Sequence, residues 1–358
     1  MKILQLIQKQ QLRGVEVFTA QLSNHLEAMG HEVILVSLVA GNDVLPFKGA
    51  IQCLNANLSR KWWDVKGWKG LAELIRSFQP DVVQANAADT LKYAVLSKQM
   101  YDWRQPLLYR NASVMSRYTT SLISKTTTRF LLRQVDQIIS VSDVAARDIC
   151  STFRIAADKV CVIPVGVEPV AAHQDLFKEY KGFHIVHVGG FTFEKNHSGL
   201  LRIFGEVLKQ IPEARLWLVG DGPLRIQTEQ KARDLGLMES VTFTGSQSNA
   251  VDYIASADVF VLPSIMEGLP AVILESFYYE TPVVAYAVGA IPEVLTSETG
   301  WAVAKDRESE MIQTLIRLYS DKTNEVQRRV YNAKNLVTQQ YGNERIASKF
   351  NQLYQSHL

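Results

Sequence analysis

Residues 1–38 read MKILQLIQKQQLRGVEVFTAQLSNHLEAMGHEVILVSL, and their pattern decides the fold. MKILQLI is an apolar run of strand length. Val15, Phe18, Leu22, Leu26 and Met29 then recur at the spacing of a helix with one buried face, and Gly30 is placed to cap it. EVILVSL (32–38) is a second, nearly continuous apolar run, as expected of a strand covered on both faces. Strand, helix and strand in this order imply a parallel pair joined by a crossover. The same rhythm predicts further strands at 82–84, 106–109, 137–141 and 160–163.

The rhythm restarts in the second half. HIVHVG (184–189) reads as a strand leading to a helix through about 210, and ARLWLVG (214–220) as a strand opening into a Asp-Gly-Pro turn. VTFTG (241–245), DVFVL (258–262) and PVVAY (282–286) read as short strands, and 306–358 as helices. VGVEPVAAHQDLFKEYKGF lacks strand character, which places a linker at about 166–182. The expected organisation is an α/β protein of two doubly wound domains, 1–167 and 168–340. A C-terminal helix within 341–358 is expected to pack back on the first domain. Ligands of such sheets bind beyond the carboxyl ends of the strands.

The chain has 358 residues, 47% of them hydrophobic and 21% charged, a globular mixture long enough for two cores. No apolar stretch approaches the roughly 20 residues of a membrane span. The N-terminus turns polar too soon for a secretion signal and reads as a buried strand. Cys53, Cys150 and Cys161 lack metal-ligand spacing and read as reduced cysteines of a cytoplasmic protein. Charge is uneven: residues 1–165 carry 20 Lys and Arg against 13 Asp and Glu, whereas the rest carry 18 against 23. A basic half on a near-neutral chain implies an anionic partner for that half. No nucleic-acid motif accompanies it, so nucleic acid is not expected.

The segment SIMEGLPAVILESFYYETPVVAYAVGAIPEVL (264–295) carries the clearest chemistry. Glu267 and Glu275 flank Gly268, Leu269 and Pro270, and proline favours a helix start near 269 or 270. The N–H groups of such a helix suit a diphosphate. Six residues of helix rise about 9 Å, which separates the two carboxylates by about the length of a diphosphate. Glu267 is thereby assigned to sugar hydroxyls and Glu275 to ribose hydroxyls.

This segment resembles the E-x7-E region of the family 4 retaining glycosyltransferases of GT-B fold. VGGFTFEKNHSGLLRIF (188–204), LWLVGDGPL (216–224), VTFTGSQSNAVDYIASADVFVLPS (241–264), VSDVAARDI (141–149), VIPVGVE (162–168) and RGVEVFTAQLSNHLEAMGHEVILVS (13–37) are similar to other parts of that family, in its order. The resemblance implies two Rossmann-like domains facing across a cleft. It also implies a nucleotide-diphosphate-sugar donor on the C-terminal domain and transfer with retention to a glycan or lipid-linked acceptor, without a metal or other cofactor. It makes Lys195 and Glu267 catalytic. Gly14, Gly189, Gly190, Lys195, Gly268, Leu269 and Glu275 become donor-binding residues.

The chain departs from the family pattern where an arginine usually follows the glycine of the VG strand end: here it is Gly190. The N-terminal Gly-Gly is Arg13-Gly14, and Asn86 and Arg110 stand near positions where histidines are common. Arg13, Asn86, Arg110 and Asn111 are assigned to the acceptor side, with Arg110 or Arg13 expected to supply the missing cation across the cleft. A nucleotide-sugar epimerase of similar architecture, or a binding protein with a weakened site, is the alternative.

RKWWDVKGWKG (60–70) interleaves Trp62, Trp63 and Trp68 with Arg60, Lys61, Lys66 and Lys69, and SKTTTRFLLRQ (124–134) sets Lys125, Arg129 and Arg133 at helical spacing. Tryptophan prefers the membrane interface and lysine the anionic head groups. Both stretches lie in the basic half. They predict peripheral docking on the inner face of the cell membrane by an enzyme of cell-surface glycan assembly, lipopolysaccharide included.

Overall fold

The computed structural model describes residues 1–60, 62–169, 174–321 and 323–358. The chain forms two compact units, Met1–Gly166 with Asn343–Leu358, and Val167–Gly342. Part of the linker expected at 166–182 lies outside the described residues.

In the first unit β1 (Lys2–Lys9) leads through α1 (Gly14–Ala28) to β2 (Glu32–Val39) and a short β3 (Ile51–Cys53). There follow α2 (Val65–Phe78), β4 (Val82–Ala85), α3 (Ala88–Tyr101), β5 (Leu107–Asn111), α4 (Leu122–Arg133), β6 (Gln137–Ser140), α5 (Asp143–Phe153) and β7 (Val160–Val162). The seven strands are parallel in the order β3-β2-β1-β4-β5-β6-β7. Helix α1 stops in a left-handed glycine motif: Gly30, at φ +88°, donates to Glu27 O while His31 donates to Leu26 O. Strands β1, β4 and β5 are buried on both faces, as expected of parallel strands covered by helices.

The second unit contains β8 (Phe183–Val188), α6 (His197–Gln210), β9 (Ala214–Val219), α7 (Arg225–Asp234), β10 (Val241–Gly245), α8 (Ala250–Ala255), β11 (Val259–Leu262), α9 (Ala271–Tyr278), β12 (Val283–Tyr286), α10 (Ile291–Val294), β13 (Trp301–Val303), α11 (Glu308–Ser320) and α12 (Glu325–Gln340). Its six strands are also parallel, in the order β10-β9-β8-β11-β12-β13.

The last helix, α13 (Asn343–Gln355), belongs to the first unit. Phe350 and Tyr354 are fully buried there, and the Tyr354 hydroxyl donates to Gln84 Oε1 and accepts from Gln5 Nε2. These bonds join α13 to neighbouring strands β1 and β4.

Each sheet reverses its winding direction once, between β1 and β4 in the first unit and between β8 and β11 in the second. The loops beyond the carboxyl ends of such a strand pair diverge and leave a crevice for a ligand. The two crevices are therefore where the expected site residues have to be sought.

Candidate functional site

In the second unit the reversal point falls between the loop after β8 and the loop after β11. The first loop is held by backbone bonds to its neighbour: Gly189 donates to Val219 O, Phe191 to Asp221 O, and Leu224 to Phe191 O. Gly220 makes that approach feasible. Its φ is +137°, and a β-carbon there would lie 2.2 Å from Gly189 O. One short turn, Phe193–Lys195, then brings the chain to Asn196, whose left-handed backbone (φ +53°) starts α6. The Asn196 side chain accepts from Gly199 N–H and donates to Pro263 O beyond β11. Ile265 N–H donates to Glu194 O. These last two contacts tie the loops together and set Lys195 Nζ 2.7 Å from Glu267 Oε1, with side chains only 20% and 10% exposed.

The Glu267 loop has a second support. Ala290 N–H donates to Gly268 O, and Gly289 (φ +56°) lies so close that a β-carbon would stand 1.9 Å from Glu267 O. Helix α9 begins at Ala271 with Pro270 as its cap residue, and no side chain caps it. Its first N–H groups have no acceptor within the helix and carry the positive end of its dipole. Leu269 packs inward, so any share it takes in a ligand site is through its backbone. Glu275 lies one turn into α9, where burial pushes its carboxyl up to about 7. At Gly190 a β-carbon would meet Asp221 O at 3.5 Å, an ordinary contact, so the residue leaves room where a side chain would fit.

Behind Lys195 lies a feature that sequence reading missed. His187 on β8 and His197 at the start of α6 meet edge to face, ring centres 4.8 Å apart, and His197 stacks on Phe191 at 4.0 Å. His187 Nδ1 bonds Val261 O, which makes it the donor nitrogen. His187 Nε2 and both ring nitrogens of His197 are buried without partners. Burial, with the neighbouring Lys195 charge opposing protonation, holds His187 down to about 4 and His197 down to about 2. Both imidazoles are uncharged. A histidine in an apolar strand and another beside a helix cap were the available signals, and neither spacing distinguishes a ligand from packing.

In the first unit, Gly14 opens α1 with free space around it. Arg13 is the residue before that helix, and its side chain does not cap it. Asn86, Arg110 and Asn111 were assigned to the acceptor side, and the structure shows all three to be buried. Asn86 and Asn111 are completely buried. Asn86 Nδ2 donates to Gln5 Oε1 and Leu6 O, and Asn111 Nδ2 to Ser113 O. Both satisfy the backbone and side chains of the strand ends. Arg110 is 2% exposed, its guanidinium 4.1 Å over the Phe18 ring and its Nε and Nη1 without partners. Desolvation brings it down to about 10, partly offset by buried Glu16 on α1. It is enclosed within the first unit and does not stand as a free surface cation.

Among the described residues no three His, Cys, Asp or Glu side chains cluster as metal ligands. Trp68, expected in an interfacial aromatic set, is instead buried on α2, whereas Trp63 is 79% exposed. Lys61 of that set lies outside the described residues.

A model of Glycosyltransferase Family 4 matches residues 12–170, and a model of Glycosyl transferases group 1 matches 182–321. The lipopolysaccharide core biosynthesis glycosyltransferase LpsD of Rhizobium meliloti is 37% identical over 131 residues, 37% of either chain. The chain thus spans little more than a third of that relative's length. An uncharacterized glycosyltransferase of Haemophilus influenzae is 22% identical over 94% of this chain and 95% of its own. Among solved structures, Anabaena HepE in complex with UDP-glucose superposes with a TM-score of 0.82 at 18% identity, covering 99% of this chain and 100% of that one.

Proposed function

Since this chain belongs to the family 4 glycosyltransferases of GT-B fold, we propose that it transfers a hexosyl unit from a nucleoside-diphosphate sugar to a glycan or lipid-linked acceptor, retaining the anomeric configuration. The observation that carries the proposal is the Lys195–Glu267 pair at the reversal point of the second sheet, directly ahead of the uncapped α9. It puts a cation, a carboxylate and helix N–H groups at one crevice, the set a sugar diphosphate needs.

In this reading the donor diphosphate lies against the α9 N-terminus and Lys195, Glu267 holds sugar hydroxyls, and Glu275 holds the ribose. As the bond from the anomeric carbon to the diphosphate breaks, negative charge grows on the leaving oxygen. Lys195 and the α9 dipole are fixed where they stabilise it. The acceptor hydroxyl forms the new bond on the same face, and its proton passes to the departing phosphate. This front-side course is what membership of the family implies. Lys195 supplies the charge that a metal provides elsewhere, so the reaction is proposed to be metal-independent.

The acceptor is placed at a membrane surface on the cytoplasmic side. In support, Leu122 and Ile123 at the start of α4 are each 77% exposed and share that helix with Lys125, Arg129 and Arg133. No helix among the described residues is long and apolar enough to cross a membrane. The role of LpsD in lipopolysaccharide core biosynthesis agrees with a cell-surface glycan as product. The test is incubation with UDP-, GDP- and ADP-sugars and a bacterial glycolipid extract, with and without EDTA, followed by NMR of the anomeric proton. Product of retained configuration supports the proposal. Turnover of the sugar nucleotide with no acceptor, giving its epimer, replaces it.

A further inference from the structure

Lys195 and Glu267 are each other's ion-pair partner, 2.7 Å apart and largely shielded from water. Under the function proposed above, on which this inference rests, each also serves a different part of the donor. Lys195 is the one cation in the loop GGFTFEKN (189–196), because position 190 is glycine. The imidazoles behind it are uncharged and bring no further positive charge. A diphosphate arriving at this loop therefore meets a cation whose charge Glu267 already balances.

Drawing the ammonium toward phosphate weakens its bond to Glu267 and leaves a shielded carboxylate short of partners, which is costly. A complete donor repairs that loss, since its sugar hydroxyls donate to Glu267. A nucleoside diphosphate without the sugar does not. We infer that Glu267 is an internal competitor for Lys195, so that tight diphosphate binding depends on the sugar being present and the nucleoside diphosphate is expelled once the sugar has been transferred. Glu267 thus acts twice, holding the donor sugar and then driving product release.

Calorimetry on the full chain with UDP, GDP and ADP first identifies the nucleotide that binds. Its sugar conjugate, measured without acceptor, is expected to bind the parent protein more tightly than the nucleoside diphosphate. In Glu267→Gln the order inverts: the nucleoside diphosphate binds about tenfold tighter than to the parent and the sugar nucleotide about tenfold weaker, a change of ~1.4 kcal/mol each way. The gain disappears in Lys195→Ala/Glu267→Gln, because the freed cation is its source. Equal or weaker binding of the nucleoside diphosphate by Glu267→Gln overturns the inference, as does a parent protein that prefers the nucleoside diphosphate. The second comparison needs no variant to fold. Binding of none of the three nucleotides removes the donor-site reading itself, a separate outcome.

Discussion

The carbonyl oxygen of Glu267 lies 1.9 Å from where a β-carbon would stand on Gly289. Two loops from neighbouring strands, β11 and β12, are pressed together at a point that only glycine fills, and its φ of +56° adds to the requirement. Gly289→Ala has to push the Glu267 loop aside. It is expected to weaken nucleotide-sugar binding by more than about tenfold while circular dichroism stays that of the parent. Parent-like affinity in a folded Gly289→Ala protein would show that the Glu267 backbone position is not critical.

Gly190 sits beside Asp221 O with ordinary clearance, so Gly190→Arg should be accommodated. A second cation at this loop is expected to tighten binding of the nucleoside diphosphate about tenfold, the scale of one charge-assisted hydrogen bond. Titration calorimetry reads it, and an unchanged affinity would place the diphosphate away from position 190.

Glu275, raised from its ordinary 4.5 to about 7, keeps a proton in the fold that the unfolded chain gives up. Its contribution to stability is therefore complete below the unfolded value and is lost as pH rises toward 7. Ligand binding has the opposite sign, because ribose hydroxyls donate to the ionised form. Nucleotide affinity should rise between pH 5 and 7 by up to about tenfold per unit and level off above. Glu275→Gln should remove the slope, and a slope that survives it would assign the titration to another group.

His187 and His197 are held uncharged, and their unpartnered nitrogens stabilise nothing in the unliganded fold. His197→Leu should change stability by no more than about 1 kcal/mol, whereas His187→Leu loses the bond to Val261 O and should cost about that much or more. Chemical denaturation separates the two. Ring proton shifts that move between pH 5 and 8 would contradict the uncharged state.

Arg110 is buried in the first unit, which bears on the cation role assigned to it. As the cation expected to act on the diphosphate it would affect turnover, but it lies buried over Phe18 and near buried Glu16. Arg110→Ala should cost about 1–2 kcal/mol of stability, the scale of the lost cation–π contact with Phe18, with nucleotide affinity unchanged. A loss of affinity at parent stability would return Arg110 to the ligand.

The positions of most strands were readable because buried parallel strands carry mostly apolar runs, as in EVILVSL and HIVHVG. Strands β3 and β13 were not, since three residues such as IQC or WAV at a sheet edge leave no period to detect. Glu267 and Glu275 were singled out by a motif whose spacing follows a helix start, and Lys195 only by the family resemblance. The Lys195–Glu267 bond was not legible, because it depends on contacts 67 and 71 residues apart, Asn196 to Pro263 and Ile265 to Glu194. The burial of Arg110 and Asn86 was hidden for a related reason. A polar residue at a strand end reads as ligand-facing, and only the packing of α1 and α13 shows it to be enclosed.

The most direct test of the donor site is the thermal midpoint of the parent protein and of Lys195→Ala with UDP, GDP, ADP and their sugar conjugates, each with and without EDTA. The account predicts that one nucleotide series stabilises the parent protein, by about 2.7 kcal/mol at 100 times its dissociation constant. That shift should withstand EDTA and be lost in Lys195→Ala. No shift with any nucleotide, or an equal shift in Lys195→Ala, would contradict it.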